Sequence, residues 1–114
     1  MTTRLNRRAT LVLAALAPLA LAGRGRAGGD PKLHDVVMRG LAFVPATIEA
    51  KVGDMVRWTN ADIAPHTATA DDQTWTTGPL KKGESAMIKV TEGMATDYVC
   101  EFHPHMTGGI TIKA

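Results

Sequence analysis

From Leu33 onward, apolar and polar residues alternate with a period of two, and glycine or proline repeatedly interrupts the alternation. Successive side chains of a strand point to opposite faces, so this is the pattern of short strands half buried in a sandwich or barrel. No segment carries a convincing helical period. Ile48, Ala50 and Val52 are expected on the inner side of one strand, with Glu49 and Lys51 in water. Gly53-Asp54 then turns the chain into Met55 to Asn60, where Val56 and Trp58 point inward, and the two strands are expected to form a hairpin. Ala86, Ile88 and Val90 alternate with Met87 and Lys89 in a further strand, Thr96 to Cys100 makes another, and Gly109 to Lys113 is the last, with Ile110 and Ile112 inward. Residues 61 to 83 hold Pro65, Gly78, Pro79 and Gly83 among many Thr and Asp, and read as loops and short edge strands. At 114 residues, 45% hydrophobic and 21% charged, the chain is one domain at most and too apolar to be disordered.

Residues 1 to 27 read as an export segment rather than as fold: a basic start with Arg4, Arg7 and Arg8, an apolar run from Leu11 to Ala22, then small residues. The run is well short of the ~20 apolar residues that cross a bilayer as a helix, and Pro18 interrupts it, so no stable membrane insertion is expected. Arg7-Arg8 resembles a twin-arginine signal, and cleavage is expected after Ala22 or Ala27, leaving 28 to 114 as the folded domain outside the bacterial cytoplasm. From residue 9 onward ten Lys and Arg face eleven Asp and Glu, so no basic footprint remains to grip phosphate backbones and nucleic acid is excluded as a partner. A single cysteine, Cys100, forms no intramolecular disulfide, and a bound metal is an alternative source of stability for so small a core.

The chemistry gathers near the C-terminus. In Cys100-Glu101-Phe102-His103-Pro104-His105-Met106 a thiolate, an imidazole and a thioether follow one another at three-residue steps. Pro104 removes a backbone donor and Gly108-Gly109 follow, so the segment is a tight loop able to fold its side chains around one point. His66, in Ala64-Pro65-His66-Thr67 beyond the Trp58 strand, is the candidate for the second imidazole. Two imidazoles and a thiolate with a weak axial thioether are the ligands of a blue-copper site. Each residue alone has a plainer explanation: a lone cysteine is usually a buried filler, a methionine is core, and a histidine such as His34 is a solvated surface group. Their joint occurrence outweighs it. Structural zinc sites draw on more cysteines, and a cysteine-histidine nucleophile would need an orienting group and an oxyanion loop that the sequence does not offer.

These residues resemble the cupredoxins, and among them the amicyanin-like and plastocyanin-like small copper proteins. The resemblance runs through Phe43-Val44-Pro45, Val52-Gly53-Asp54, Val56-Arg57-Trp58-Thr59-Asn60, Pro65-His66-Thr67, Gly78-Pro79-Leu80, Tyr98-Val99-Cys100 and His103-Pro104-x-Met106-x-Gly108. It implies an all-β, Greek-key sandwich or barrel of about seven to eight short strands. It also implies one copper ion cycling between Cu(I) and Cu(II) on His66, Cys100, His103 and Met106. Asn60 would tie the two ligand-bearing loops together, and the Thr67 N–H would bond the Cys100 sulfur. His105 departs from the family, whose short loops carry an aromatic residue there. The function expected is single-electron transfer by a monomer in the periplasm, not enzymatic turnover, with a cytochrome or a dehydrogenase or oxidase docking transiently near His103. Pro65, Pro104 and Met106 would form an apolar rim, Trp58, Tyr98 and Phe102 would pack the core, and Asp71 and Asp72 would lie in a solvated turn. A copper carrier or storage protein is the alternative, although only Met106 of six methionines lies in the ligand motif.

Overall fold

The computed structural model describes residues 30–113, and the expected export segment over 1 to 27 lies outside them. Eight strands follow one another with no helix among the described residues: β1 (Leu33–Met38), β2 (Phe43–Val44), β3 (Thr47–Lys51), β4 (Met55–Asn60), β5 (Thr69–Ala70), β6 (Ser85–Lys89), β7 (Asp97–Cys100) and β8 (His103–Lys113). They form two four-stranded sheets, ordered β2-β1-β4-β6 and β3-β8-β7-β5. Each sheet is mixed: β1 pairs with β4 and β3 with β8 in parallel, and the remaining pairs are antiparallel. This is the all-β architecture that the alternation predicts.

The alternation is visible in β4, where Val56, Trp58 and Asn60 are buried and the residues between them are not. One core draws on both sheets: Val36, Met38, Phe43, Val56 and Trp58 from the first, and Ala50, Tyr98, Cys100, Met106 and Ile110 from the second. Trp58 is the hub, its ring 5.4 Å from that of Tyr98 and 5.5 Å from that of Trp75. Fully burying such side chains stabilises the fold by roughly 1.5–3 kcal/mol each.

The expected β3–β4 hairpin does not form. The two strands lie in different sheets, and the chain crosses between them at Val52–Asp54, with Gly53 at φ 100° and Val52 exposed rather than inward. Ala50 and Trp58 do both face the interior, from opposite sides of it. Period-two alternation fixes which side chains are buried but does not distinguish antiparallel neighbours from strands facing each other across a core.

Asp54 secures this crossing. Its carboxylate accepts the N–H of Lys32 at 2.9 Å, the N–H of Lys51 at 2.9 Å and a bond with His34 Nε2 at 2.8 Å. It therefore ties the start of β1, the end of β3 and the start of β4. His34 is accordingly a half-buried partner of Asp54 and not the solvated group expected from the sequence. Those bonds, that with His34 foremost, hold the Asp54 carboxyl down at about 2.

The last strand is also longer than expected. It begins at His103 rather than Gly109, and its pairing with β7 is interrupted. Val99 pairs with Thr107 and the next residue, Cys100, with His103, so Pro104, His105 and Met106 are left out of the ladder as a bulge. Asp71 and Asp72 lie exposed in a turn, as expected.

Candidate metal centre

β4 ends at Asn60, and the segment that follows carries His66 back into the protein. Asn60 Nδ2 donates to the carbonyls of Ala64 and Leu80, each at 2.8 Å, and its Oδ1 accepts the Asp62 N–H at 2.7 Å. The buried amide thus braces the loop that leads to His66 against Leu80, and it does not tie that loop to the Cys100–Met106 segment as expected, since none of its three partners lies there. His66 exchanges backbone hydrogen bonds with Leu80, N–H to carbonyl at 3.1 Å and 2.8 Å, and is fully buried. Proline at 65 suits this re-entry, because its fixed φ stiffens the residue before the histidine.

The second segment descends from β7. Cys100 ends that strand at 0% exposure, and the turn Glu101-Phe102 returns the chain to His103. Cys100 Sγ lies 3.7 Å from His66 Nδ1 and 3.7 Å from His103 Nδ1. The three candidate ligand atoms all fall within 4.8 Å of one another. The two imidazole rings stand edge to face, with centroids 5.0 Å apart. One ion bonded to sulfur and nitrogen at about 2.0–2.3 Å fits between such atoms. A thiolate with two imidazoles is a soft-to-borderline donor set that suits copper. Met106 lies on the same bulge and is buried at 2% exposure, while His105 beside it is exposed.

Two hydrogen bonds link the segments. The Thr67 N–H donates to Cys100 Sγ at 3.4 Å, and the Glu101 N–H donates to Thr67 Oγ1 at 2.9 Å. The hydroxyl of Thr69 donates in turn to Thr67 Oγ1 at 3.0 Å, so the residue beside His66 is held from three directions. Such surrounding bonds keep ligands still and tune a metal's potential.

Sequence reasoning missed Asp62. Its Oδ2 lies 2.9 Å from His66 Nε2, and the carboxylate also accepts the N–H groups of Gly40 at 2.9 Å and Leu41 at 3.0 Å. The Leu41 amide, then His66, then the Gly40 amide pull the Asp62 carboxyl down to about 2. An acid four residues before a candidate ligand, just after Asn60, was the only signal. Two further expectations need correction. Phe102 is 50% exposed instead of core, because it sits in the turn between Cys100 and His103, and Met106 is buried and so forms no part of an outer rim.

Comparison with known proteins points to copper binding. A family model described as copper binding proteins, plastocyanin/azurin family, matches residues 33–113. Amicyanin from Paracoccus denitrificans is 34% identical over 71 residues, which are 58% of this chain and 54% of that protein, so the match spans about half the length of this relative. Among solved structures, a novel purple cupredoxin from Nitrosopumilus maritimus superposes with a TM-score of 0.64 at 26% identity, over 70% of this chain and 99% of that one. A Cu(I) form of an amicyanin mutant superposes with a TM-score of 0.64 at 27% identity, over 71% of this chain and 82% of that one.

Proposed function

The chain belongs to the plastocyanin/azurin family of copper-binding proteins, the cupredoxins, and on that premise we propose that it is a periplasmic carrier of single electrons with His66, Cys100, His103 and Met106 as its copper ligands. The observation that carries the reading is the convergence of two imidazole Nδ1 atoms on one buried sulfur, from segments 34 residues apart. Copper supplies the one-electron couple, Cu(I) and Cu(II), and no substrate bond is made or broken. The work of the chain is to hold its ligands nearly unmoved between the two states. Cys100 gives the thiolate, His66 and His103 give imidazole nitrogens, and Met106 gives a weak thioether. Thr67 steadies the sulfur through its N–H, and Asn60 fixes the loop that leads to His66.

Exchange with partners fits the His103 side of the site, since His103 is only half buried. Phe102, Ile63, Pro65 and Pro104 are exposed and lie beside the ligands in sequence, and they would supply the apolar rim. Small apolar contacts of this kind favour brief docking, here with a cytochrome or with a dehydrogenase or oxidase. The protein acts as a monomer, with residues 28 to 114 as its folded domain, once the segment 1 to 27 has directed export and been cleaved after Ala22 or Ala27.

Loading with Cu(II) tests the reading. An intense visible thiolate-to-copper band is expected, and Cys100→Ser should abolish it, because a serine hydroxyl stays protonated and cannot replace the soft thiolate. A nearly colourless Cu(II) form of the wild type would favour a copper carrier or storage protein. Full colour in the serine variant would remove Cys100 from the site. His103→Ala should lose or alter the band while His105→Ala stays blue, and the opposite pattern would move the ligand to His105.

A further inference from the structure

His66 is held at both ends of its ring. Nδ1 faces Cys100 Sγ at 3.7 Å, whereas Nε2 lies 2.9 Å from Asp62 Oδ2. Asp62 is itself well fixed. Its N–H donates to Asn60 Oδ1 at 2.7 Å, and its carboxylate receives the amides of Gly40 and Leu41 at 2.9 Å and 3.0 Å. Those amides belong to the turn between β1 and β2, which is closed by Arg39 N–H to Ala42 carbonyl at 2.9 Å and Ala42 N–H to Arg39 carbonyl at 3.2 Å. Both central residues have positive φ, 64° at Gly40 and 61° at Leu41. Glycine adopts that conformation freely, but leucine does so against its own Cβ. The two successive N–H groups nevertheless form a small concave donor site, and the Asp62 carboxylate occupies it. With two backbone donors already directed at it, the carboxylate remains an acceptor toward His66, so the proton between them belongs to Nε2.

We propose that Asp62 is a positioning residue of the copper centre: it holds His66 in the tautomer with the proton on Nε2 and Nδ1 free for the metal, and its negative charge favours the oxidised state. The inference rests on the reading of His66 as a copper ligand. A hydrogen bond from a ligating imidazole to a carboxylate makes the imidazole a stronger donor, and a nearby negative charge stabilises Cu(II) over Cu(I). Asp62 therefore lowers the midpoint potential. The charge stays at its post because the β1–β2 turn grips it, which gives the left-handed Leu41 a purpose.

Two substitutions separate charge from shape. Asp62→Asn keeps the size and retains an oxygen able to accept from Nε2 but loses the charge, and Asp62→Ala loses both. In the metal-free protein at neutral pH, nitrogen-15 spectra of the wild type should show His66 as the Nε2–H tautomer, and Asp62→Ala should show a mixture. In the copper-loaded protein both variants should raise the midpoint potential, by about tenfold in the Cu(II)/Cu(I) ratio at a given potential, or about 59 mV for one electron. Leu41→Gly, which relaxes the turn and keeps its N–H, should leave the potential where it was. An Nδ1–H tautomer in the wild type overturns the proposal, as do unchanged potentials in both Asp62 variants. If Asp62→Ala does not fold, Asp62→Asn alone decides the potential. Failure of the wild type to bind copper with a visible band would sink the functional reading alone, because the tautomer is read on the metal-free chain.

Discussion

At Gly108 the absence of a side chain is what lets Tyr98 lie flat against the partner strand. The two residues are paired across β7 and β8, and a Cβ on Gly108 would collide with Cε1, Cζ and the hydroxyl oxygen of the tyrosine. Tyr98 has little room to yield, since Phe43 is 4.7 Å away ring to ring and Trp58 5.4 Å. Gly108→Ala should therefore destabilise the protein by about 2 kcal/mol, the usual cost of overfilling a packed core. Gly109→Ala, where the nearest atom to the new Cβ is 3.6 Å away, should cost much less, and urea unfolding of the pair checks the difference. Neither effect is legible in Gly108-Gly109 as written. What could be read from residues was a set of candidate donors, Cys100, His103 and Met106 by type and spacing and His66 by need of a second imidazole, and the fold brings the donor atoms of His66, Cys100 and His103 within 4.8 Å of one another. Asp62 could not be found that way, because an acid in a polar loop looks the same whether it meets water or a histidine ring. His34 and Asp54 were opaque for the same reason, 20 residues apart and joined only by the fold.

The bulge between β7 and β8 separates two demands at the level of elements. Its flanking pairs, Val99 with Thr107 and Cys100 with His103, preserve the ladder while Pro104, His105 and Met106 stand outside it. A glycine inserted after His105 should accordingly lower stability by less than about 1 kcal/mol, near the entropy of lengthening a loop. The same insertion after Ile110 should cost several times more. It would shift Thr111, Ile112 and Lys113 by one position against β3 and turn Ile112 outward. Thermal unfolding of the two metal-free variants compares them directly. The sequence pattern located this region as a loop after Cys100 but missed that strand geometry resumes at His103, since Pro104 and the glycines mask the alternation. The β3–β4 hairpin failed for a different reason. Short connections usually join neighbours in one sheet, and here three residues carry the chain across the core instead, which only the parallel pairing of β3 with β8 reveals.

Over the whole molecule, β4 has a polar anchor at each end: Asp54 before it and Asn60 at its close. A strand of six residues separates them by about 20 Å, so the sheets are joined at the end remote from the ligand loops by Asp54. That junction is sensitive to acid. The folded-state carboxyl is held at about 2, below its value of about 3.9 in an unfolded chain, so its contribution is present above about pH 4 and is lost as pH falls through about 2. Asp62 adds to the same window by the same sign. Urea unfolding of the metal-free protein at a series of pH values should thus show stability declining below about pH 4. Asp54→Ala should flatten that decline and cost about 2–4 kcal/mol at neutral pH through three lost hydrogen bonds.

Three of the four proposed ligands fall within seven consecutive residues, Cys100 to Met106, and the fourth arrives from 34 residues away. A nascent chain therefore already carries most of a grip on a soft metal before any sheet exists. Copper present during synthesis would meet that local trio first, and its hold on the unfolded chain would subtract from the stability it confers on the finished protein. As the fourth ligand, His66 would make up the difference, because it meets Cys100 only when the fold brings their segments together, so the affinity it added would be the part of copper binding that rewards completed folding.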